Sequence, residues 1–192
     1  MKKVFMVHGF MGEPNGGWRP WLMGELAKEG VYACALPMPT PNDPIKAEWV
    51  KSITYAVQNS KEDQVFLVGH SLGVPAILRY LESLSENQKI SGAVLISGPA
   101  NVINPDNKES KLRKIDHFLE IPFNFEHIKK VCEKFTIIHG ENDDKVPFSH
   151  GEELSRSLDC KIISIPNGGH LGGSDGFRQL PQALSALKEM LN

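Results

Sequence analysis

Ser71 is the residue whose type and spacing most directly suggest chemistry. It lies in the stretch GHSLG, residues 69–73, with a glycine two positions away on either side. The pattern G-x-S-x-G is typical of a tight turn between a strand and a helix that presents a nucleophilic hydroxyl. Side chains at the two glycine positions would collide with each other or with a neighbouring strand. We therefore expect Ser71 to adopt a strained backbone conformation with its hydroxyl clear of the sheet.

A serine hydroxyl needs a general base, and the base needs an acid that orients it. Both types of partner follow the last two strand-like runs, in HGENDDKVPF (139–148) and PNGGHLGGSDGF (166–177). Loops at the carboxyl ends of parallel strands gather at one edge of a sheet, so these segments should meet Ser71 there. The order Ser71, Asp143, His170 is that of the α/β-hydrolases. The glycines around His170 would let its loop come close to Ser71.

The first strand-like run ends in VHGFMG, residues 7–12, and supplies backbone amides to the same edge. We predict that the amides of Phe10 and Leu72 form an oxyanion hole. The amino terminus of the helix after Ser71 adds favourable partial positive charge. His8 and His70 adjoin the two motifs, and we interpret them as hydrogen-bonding scaffolds rather than proton carriers.

Short β-rich runs and helical patterns alternate along the chain and must position these residues. The runs cover Lys3–Val7, Val31–Ala35, Gln64–Val68, Gly92–Ser97, Phe135–His139 and Lys161–Ile165. The helical patterns cover Trp18–Glu29, Ile45–Gln58, Leu72–Leu84, Ser149–Leu158 and Leu180–Leu191. The central runs are almost continuously apolar, as strands covered on both faces should be. This alternation predicts one α/β domain over residues 1–192, a doubly wound parallel sheet with helices on both faces.

The composition excludes several classes of function. The chain has 192 residues, a formal net charge of −2 and three widely separated cysteines, which argues against a disulfide framework. There is no basic excess for nucleic acid, and no apolar run reaches membrane-spanning length. The acidic and histidine side chains lack compact metal-ligand spacing, so we expect no metal and no cofactor. We expect a cytoplasmic monomer or weak homodimer whose partner is a small-molecule acyl substrate.

Several motifs together resemble a known family. They are VHGF (7–10), a pair of tryptophans (18 and 21), LPMPTP (36–41), GHSLGVPAILRYLE (69–82), NDDKVPF (142–148) and GGH (168–170). Over nearly the whole chain the sequence is similar to the small α/β-hydrolase family of serine hydrolases typified by retinoblastoma-binding protein nine and the bacterial YdeN-like proteins. The resemblance implies the strand order 2-1-3-4-5-6, a minimal lid or none, and a Ser-His-Asp triad that cleaves a small ester, thioester or amide through an acyl-enzyme.

The same resemblance favours one of two neighbouring aspartates as the acid. The superfamily pattern G-x-x-D-x-x-V-P matches Gly140, Asp143, Val146 and Pro147, which selects Asp143 over Asp144. One departure is Val74, where many relatives carry a second glycine after the serine turn. We expect that change to affect helix packing only.

Residues 98–126 could form a small lid or a long crossover, with KLRKIDHFLE as a possible short helix. The charged run NKESKLRK suits a solvent-facing surface better than a water-excluding cap. We therefore predict a partly open site without a mobile lid domain. Its wall should include some of the apolar residues Phe118, Ile121, Phe123 and Phe125.

The substrate and one alternative function are left open by the sequence. Five large apolar side chains near the active edge favour an apolar substrate group but could equally belong to the core: Phe10, Met11, Trp18, Trp21 and Met38. The alternative function is that of a catalytically idle hydrolase fold that binds another protein, because a fold alone does not dictate function.

Overall fold

A computed structural model describes residues 1–58, 60, 63–103 and 111–192 of the chain. The strands are β1 (Lys2–Val7), β2 (Tyr32–Leu36), β3 (Gln64–His70), β4 (Gly92–Ile96), β5 (Phe135–Gly140) and β6 (Lys161–Ile165). The α-helices are α1 (Arg19–Lys28), α2 (Lys46–Gln58), α3 (Gly73–Ser83), α4 (Phe125–Val131), α5 (Phe148–Leu158) and α6 (Pro181–Leu191). Two 3₁₀-helices cover Lys111–Phe118 and Gly173–Asp175.

The six strands form one parallel sheet in the order β2-β1-β3-β4-β5-β6. This confirms the predicted fold class and strand order. Because every strand runs in the same direction, the loops that follow β1, β3, β5 and β6 emerge at one edge of the sheet. Those loops carry the predicted site residues.

Burial on both faces explains why the central strands are almost continuously apolar. Every residue of β4 is buried, and β3 is buried throughout except at Gln64. Alternate side chains enter two cores: Phe5 and Leu67 pack beneath α2, α3, α4 and α5, whereas Val4 and Phe66 pack beneath α1 and α6. Each such side chain stabilises the fold by about 1.5–3 kcal/mol when it leaves water. Two cores therefore hold the central strands, and with them the loops at their ends, in place.

Helix α4, between β4 and β5, was not among the predicted helices. It spans Phe125–Val131, and the Asn124 side chain accepts a hydrogen bond from the His127 amide at 3.1 Å. An N-cap asparagine before an apolar residue is a helix-start signal that the sequence does contain. The helix has only seven residues, so its periodicity is weak.

Among the described residues, no helix combines the length and apolar character that a membrane crossing requires.

The described part of the segment 98–126, residues 98–103 and 111–126, contributes several side chains to the core. The predicted short helix within KLRKIDHFLE forms the 3₁₀-helix Lys111–Phe118. Phe118 and Phe123 are buried in the core beneath α2, α3, α4 and α5, whereas Ile121 is exposed. Residues 107–110 of the predicted solvent-facing run lie outside the described residues.

Candidate active site

The turn after β3 holds Ser71 in a left-handed conformation with φ at 55°. A methyl group at Gly69 would lie 2.9 Å from the Gly73 carbonyl, and one at Gly73 would lie 2.2 Å from the Val7 carbonyl oxygen. The Ser71 amide donates to the Ile96 carbonyl at 2.9 Å and ties the turn to β4. The predicted steric reason for the two glycines is therefore confirmed. The strained turn is held by the sheet on either side of it.

Replacing Gly73 by alanine is expected to lower the free energy of unfolding by more than about 3 kcal/mol. The added methyl group would meet the Val7 carbonyl, which is fixed in the sheet and cannot move away. Urea unfolding measures the effect. The matched control is Gly24→Ala on α1, where a methyl group meets nothing within 4 Å and should stabilise the helix by about 0.5–1 kcal/mol. Equal unfolding midpoints for the two variants would contradict the close approach at Gly73.

Asp143 and His170 meet where the loops after β5 and β6 come together. His170 Nδ1 lies 2.8 Å from Asp143 Oδ2, and the carboxylate is buried. Asp143 Oδ1 accepts from the amides of Lys145 at 3.0 Å and Val146 at 2.9 Å. Asp144 is exposed and lies outside this contact. The structure thus brings Asp143, rather than its neighbour, to the histidine.

The electrostatics of this pair keep the carboxylate charged. Burial by itself would raise the pKa of Asp143. Hydrogen bonds from His139, His170 and the Val146 amide outweigh that effect and hold the pKa well below its usual range. An ionised Asp143 can fix the proton of His170 on Nδ1, which leaves Nε2 free to accept one.

His139, at the end of β5, is a neighbour of the acid that the sequence reasoning did not single out. Its Nε2 lies 2.9 Å from the Val146 carbonyl oxygen and 3.5 Å from Asp143 Oδ2. A carbonyl only accepts, so Nε2 carries the proton and points toward both oxygens. The sequence signal was its position on a strand end four residues before Asp143.

The loop that carries His170 is anchored by side chains from three other segments. His70 Nε2 donates to the His170 carbonyl at 2.8 Å, and Trp18 Nε1 donates to the Leu171 carbonyl at 3.0 Å. Asn142 Oδ1 accepts from the Gly169 amide at 2.9 Å. These bonds fix the backbone on both sides of the histidine, so its ring position is set by the tertiary fold.

His8 and His70 are held as neutral scaffolds. His8 Nε2 accepts from the Met38 amide at 3.3 Å, so Nδ1 carries the proton and faces the Gly9 carbonyl at 2.9 Å. Burial lowers the pKa of His8. Burial, together with the neighbouring His170, lowers the pKa of His70 to about 3. Both rings therefore stay uncharged at neutral pH, in agreement with the scaffold interpretation.

The buried neutral His70 should make the protein less stable in mild acid. Its pKa is about 3 in the folded protein and 6.5 for an exposed ring, so the unfolded chain binds more protons below pH 6.5. The contribution of His70 to the free energy of unfolding is fully present above that pH and decreases as the pH drops toward 3. Between pH 7.5 and pH 5.0 we expect His70 to remove about 2 kcal/mol from the free energy of unfolding.

Urea unfolding at the two pH values measures this loss. His8 and His150, whose pKa values burial also lowers, add to it in the wild type. A His70→Gln variant should show a loss smaller by about 2 kcal/mol over the same interval. An identical loss in the variant and the wild type would contradict the assignment of this effect to His70.

The predicted oxyanion amides lie on the two sides of Ser71. A methyl group at Gly9, the residue before Phe10, would lie 2.7 Å from Ser71 Cβ and 3.2 Å from its Oγ. Leu72 is the N-cap of α3. Within the described part of the chain, neither the Phe10 amide nor the Leu72 amide donates a hydrogen bond to another protein group. Both donors are therefore unused by the described part of the protein.

Ser71 and His170 line one cleft of about 590 Å³, a size typical of small-molecule sites. No hydrogen bond joins their side chains within the described residues, and such bonds commonly tighten only when substrate is bound. Phe10, Met11 and Trp18 also line the cleft, whereas Trp21 and Met38 pack into the two cores.

The prediction that some of the apolar residues Phe118, Ile121, Phe123 and Phe125 line the wall of the cleft is wrong. Phe118 and Phe123 are core residues, and neither they nor Ile121 and Phe125 line the cleft. The segment contributes Ile103, Leu112 and Ile115 instead. The reason is that the 3₁₀-helix turns its earlier apolar residues toward Ser71 and directs Phe118 against Trp49 in the core.

Among the described residues, no group of three His, Cys, Asp or Glu side chains is arranged to hold a metal ion.

The fold and this site together define the class of protein. Residues 4–189 match the family model of the serine hydrolases, and the chain belongs to that family. It is 32% identical over 180 residues to the putative hydrolase YdeN of Bacillus subtilis, covering 94% of this chain and 91% of that one. The crystal structure of the Bacillus subtilis ydeN gene product superimposes with a TM-score of 0.92 at 31% identity, covering 100% of this chain and 99% of that chain.

A second relative is the rat serine hydrolase RBBP9. It is 21% identical over 172 residues, with 89% of this chain and 86% of the relative covered. The structure of Est1E from Butyrivibrio proteoclasticus with bound ferulic acid has a TM-score of 0.75 at 17% identity, covering 100% of this chain and 88% of that chain, which is a likeness of fold. Membership of the serine hydrolase family makes this chain a hydrolytic enzyme, which argues against the idle-fold alternative.

Proposed function

We propose that the enzyme cleaves a small ester, thioester or amide through an acyl-enzyme on Ser71. The observation that carries this proposal is the 2.8 Å contact between His170 Nδ1 and the buried Asp143 carboxylate, in a cleft that also holds Ser71 on its strained turn. A nucleophile, a base and an orienting acid are the parts that acyl transfer requires.

The proposed reaction has two steps. In the first step Ser71 Oγ attacks the carbonyl carbon while His170 Nε2 takes the hydroxyl proton. The Phe10 and Leu72 amides receive the developing oxyanion, and His170 then protonates the leaving group as its bond to carbon breaks. In the second step His170 Nε2 takes a proton from water as the water oxygen attacks the acyl carbon. The bond between that carbon and Ser71 Oγ then breaks, His170 returns the proton to Oγ, and the carboxylic acid leaves.

The shape of the cleft supports a small substrate. Its lining is part apolar, from Phe10, Met11, Ile103, Leu112 and Ile115, and part polar around Ser71. A volume of about 590 Å³ accommodates an acyl group and leaving group of modest size.

A fluorophosphonate probe tests the proposal. At neutral pH it should form one covalent adduct, which peptide mass spectrometry places on Ser71. The matched control is the chain unfolded in urea, in which no base activates the hydroxyl and labelling should disappear. An intact, folded protein that gives no adduct on Ser71 would overturn the proposed nucleophile and would return the idle binding fold to consideration.

A further inference from the structure

The cleft beside Ser71 carries an excess of positive charge, although the chain as a whole has a net charge of −2. Among the described residues that line it, Arg19, Lys145 and Arg178 are cationic, and Glu13 is anionic. Charges on the walls of a cleft focus the electrostatic field within it. The charged side chains that line the cleft therefore sum to a net positive charge.

Arg19 is the member of this set whose surroundings are most informative. Its side chain lies at the start of α1 and is 6% exposed. Nε donates to the Pro14 carbonyl at 3.1 Å, and Nη2 donates to the Glu13 carbonyl at 2.8 Å. In the part of the chain that the structure describes, Nη1 has no hydrogen-bond partner and no carboxylate forms an ion pair with the guanidinium.

A buried guanidinium without a carboxylate partner is unusual, because a charge that leaves water is costly unless it is paired. Burial lowers the pKa of Arg19 to about 10, so the group still carries its charge at neutral pH. Two backbone carbonyls, the Trp18 ring 5.5 Å from Cζ and the nearby Glu13 carboxylate compensate part of that charge. The remaining donor belongs to a side chain that lines the same cleft as Ser71.

Arg178 lies beside a contact between two glycine-rich loops, those of Gly17 and Gly173. A methyl group at Gly173 would lie 3.2 Å from Gly17 Cα and 3.4 Å from Arg178 Nη1. A methyl group at Gly16, next to Gly17, would lie 2.9 Å from Arg19 Nη2. Both guanidinium groups therefore lie close to one loop contact, and both residues line the cleft. Arg178 has no ion-pair partner among the described residues.

We propose that the cleft selects substrates that carry an anionic oxyacid group, a carboxylate or a phosphate, which binds between Arg19 and Arg178 while the scissile carbonyl lies at Ser71. This inference rests on the proposed hydrolase function and names its substrate class. Arginine suits the task because its planar donors match the oxygen atoms of carboxylate and phosphate groups. Lys145 adds a third positive charge to the same cleft.

Matched phenyl acetates test the preference. The anionic esters 4-acetoxybenzoate and 4-acetoxyphenyl phosphate are compared with the neutral ester 4-acetoxybenzamide, with each rate divided by the rate of its uncatalysed hydrolysis. We expect kcat/KM for at least one anionic ester to exceed that of the neutral ester by about tenfold or more at low ionic strength. The better of the two anions identifies the oxyacid group.

Two variants test whether Arg19 and Arg178 cause the preference for anionic esters, and a third variant is the control. In Arg19→Gln and in Arg178→Gln the ratio of anionic to neutral kcat/KM should fall toward one. Arg156→Gln removes an arginine of α5 outside the cleft and should keep the ratio of the wild type. If Arg19→Gln does not fold, Arg178→Gln still decides the result. A wild-type ratio of one or less, or a ratio retained in Arg178→Gln, would overturn the proposal.

A binding measurement separates this inference from the proposed reaction. In the Ser71→Ala background, calorimetric titration should show tighter binding of 4-acetoxybenzoate or the phosphate than of 4-acetoxybenzamide by about tenfold. Equal affinities would overturn the anionic preference. If the wild type hydrolyses none of the esters and forms no fluorophosphonate adduct, the hydrolytic role of Ser71 fails, and this titration still decides whether the cleft binds anions.

Discussion

Replacement of Ser71 by alanine is expected to reduce kcat for ester hydrolysis by about 10⁴- to 10⁶-fold. The hydroxyl is the only group lost, and it is the only hydroxyl in the GHSLG turn. His170→Ala should cause a loss of similar size, because without the base the hydroxyl keeps its proton. The double variant should be little worse than either single variant, since the two residues act as one unit. Steady-state kinetics on a small ester measures these losses.

A matched serine variant controls for nonspecific effects. The Ser52 hydroxyl on α2 donates to the Glu48 carbonyl within its own helix, away from the cleft. Ser52→Ala should therefore keep kcat within about twofold of the wild type, and the free energy of unfolding of Ser71→Ala should stay within about 1 kcal/mol. Substantial turnover by folded Ser71→Ala would show that another group is the nucleophile.

Asp143→Asn is expected to reduce kcat by about 10³- to 10⁴-fold. Asp143 Oδ1 accepts from two backbone amides, so the oxygen of an asparagine would stay there and its amide nitrogen would face His170. That nitrogen donates, which forces Nδ1 of the histidine to accept and places the proton on Nε2. A histidine protonated on Nε2 cannot take the proton of Ser71. Steady-state kinetics with the same ester measures the loss.

Asp144→Asn is the matched control, because it makes the same chemical change one position along the chain. Asp144 is exposed and does not contact His170, so kcat should stay within about twofold of the wild type. A larger loss from Asp144→Asn than from Asp143→Asn would show that the acid is the other aspartate. Both variants are compared at equal folded fractions, measured by urea unfolding.

Much of the fold could be predicted from the sequence because its causes are local. Strands such as β3 and β4 are covered on both faces and therefore need almost continuously apolar residues. Such runs can be recognised in the sequence itself. The short helix α4 was missed because seven residues give too few turns for a clear period. The cleft wall from 98–126 was misassigned because the sequence does not say which apolar residues of this segment pack into the core and which line the cleft.

The sequence by itself determined that Ser71 lies on a strained turn between two obligatory glycines and that the carboxyl ends of parallel strands deliver His170 to the same edge. Both results follow from backbone sterics and from strand direction, which a linear pattern carries. Only the tertiary structure showed the 2.8 Å contact of Asp143 with the histidine, and that Arg19 is buried in the cleft without an ion-pair contact to a carboxylate among the described residues. These depend on contacts between segments that are distant in the chain, such as His70 on the loop of His170, where the direction of each side chain is set by packing.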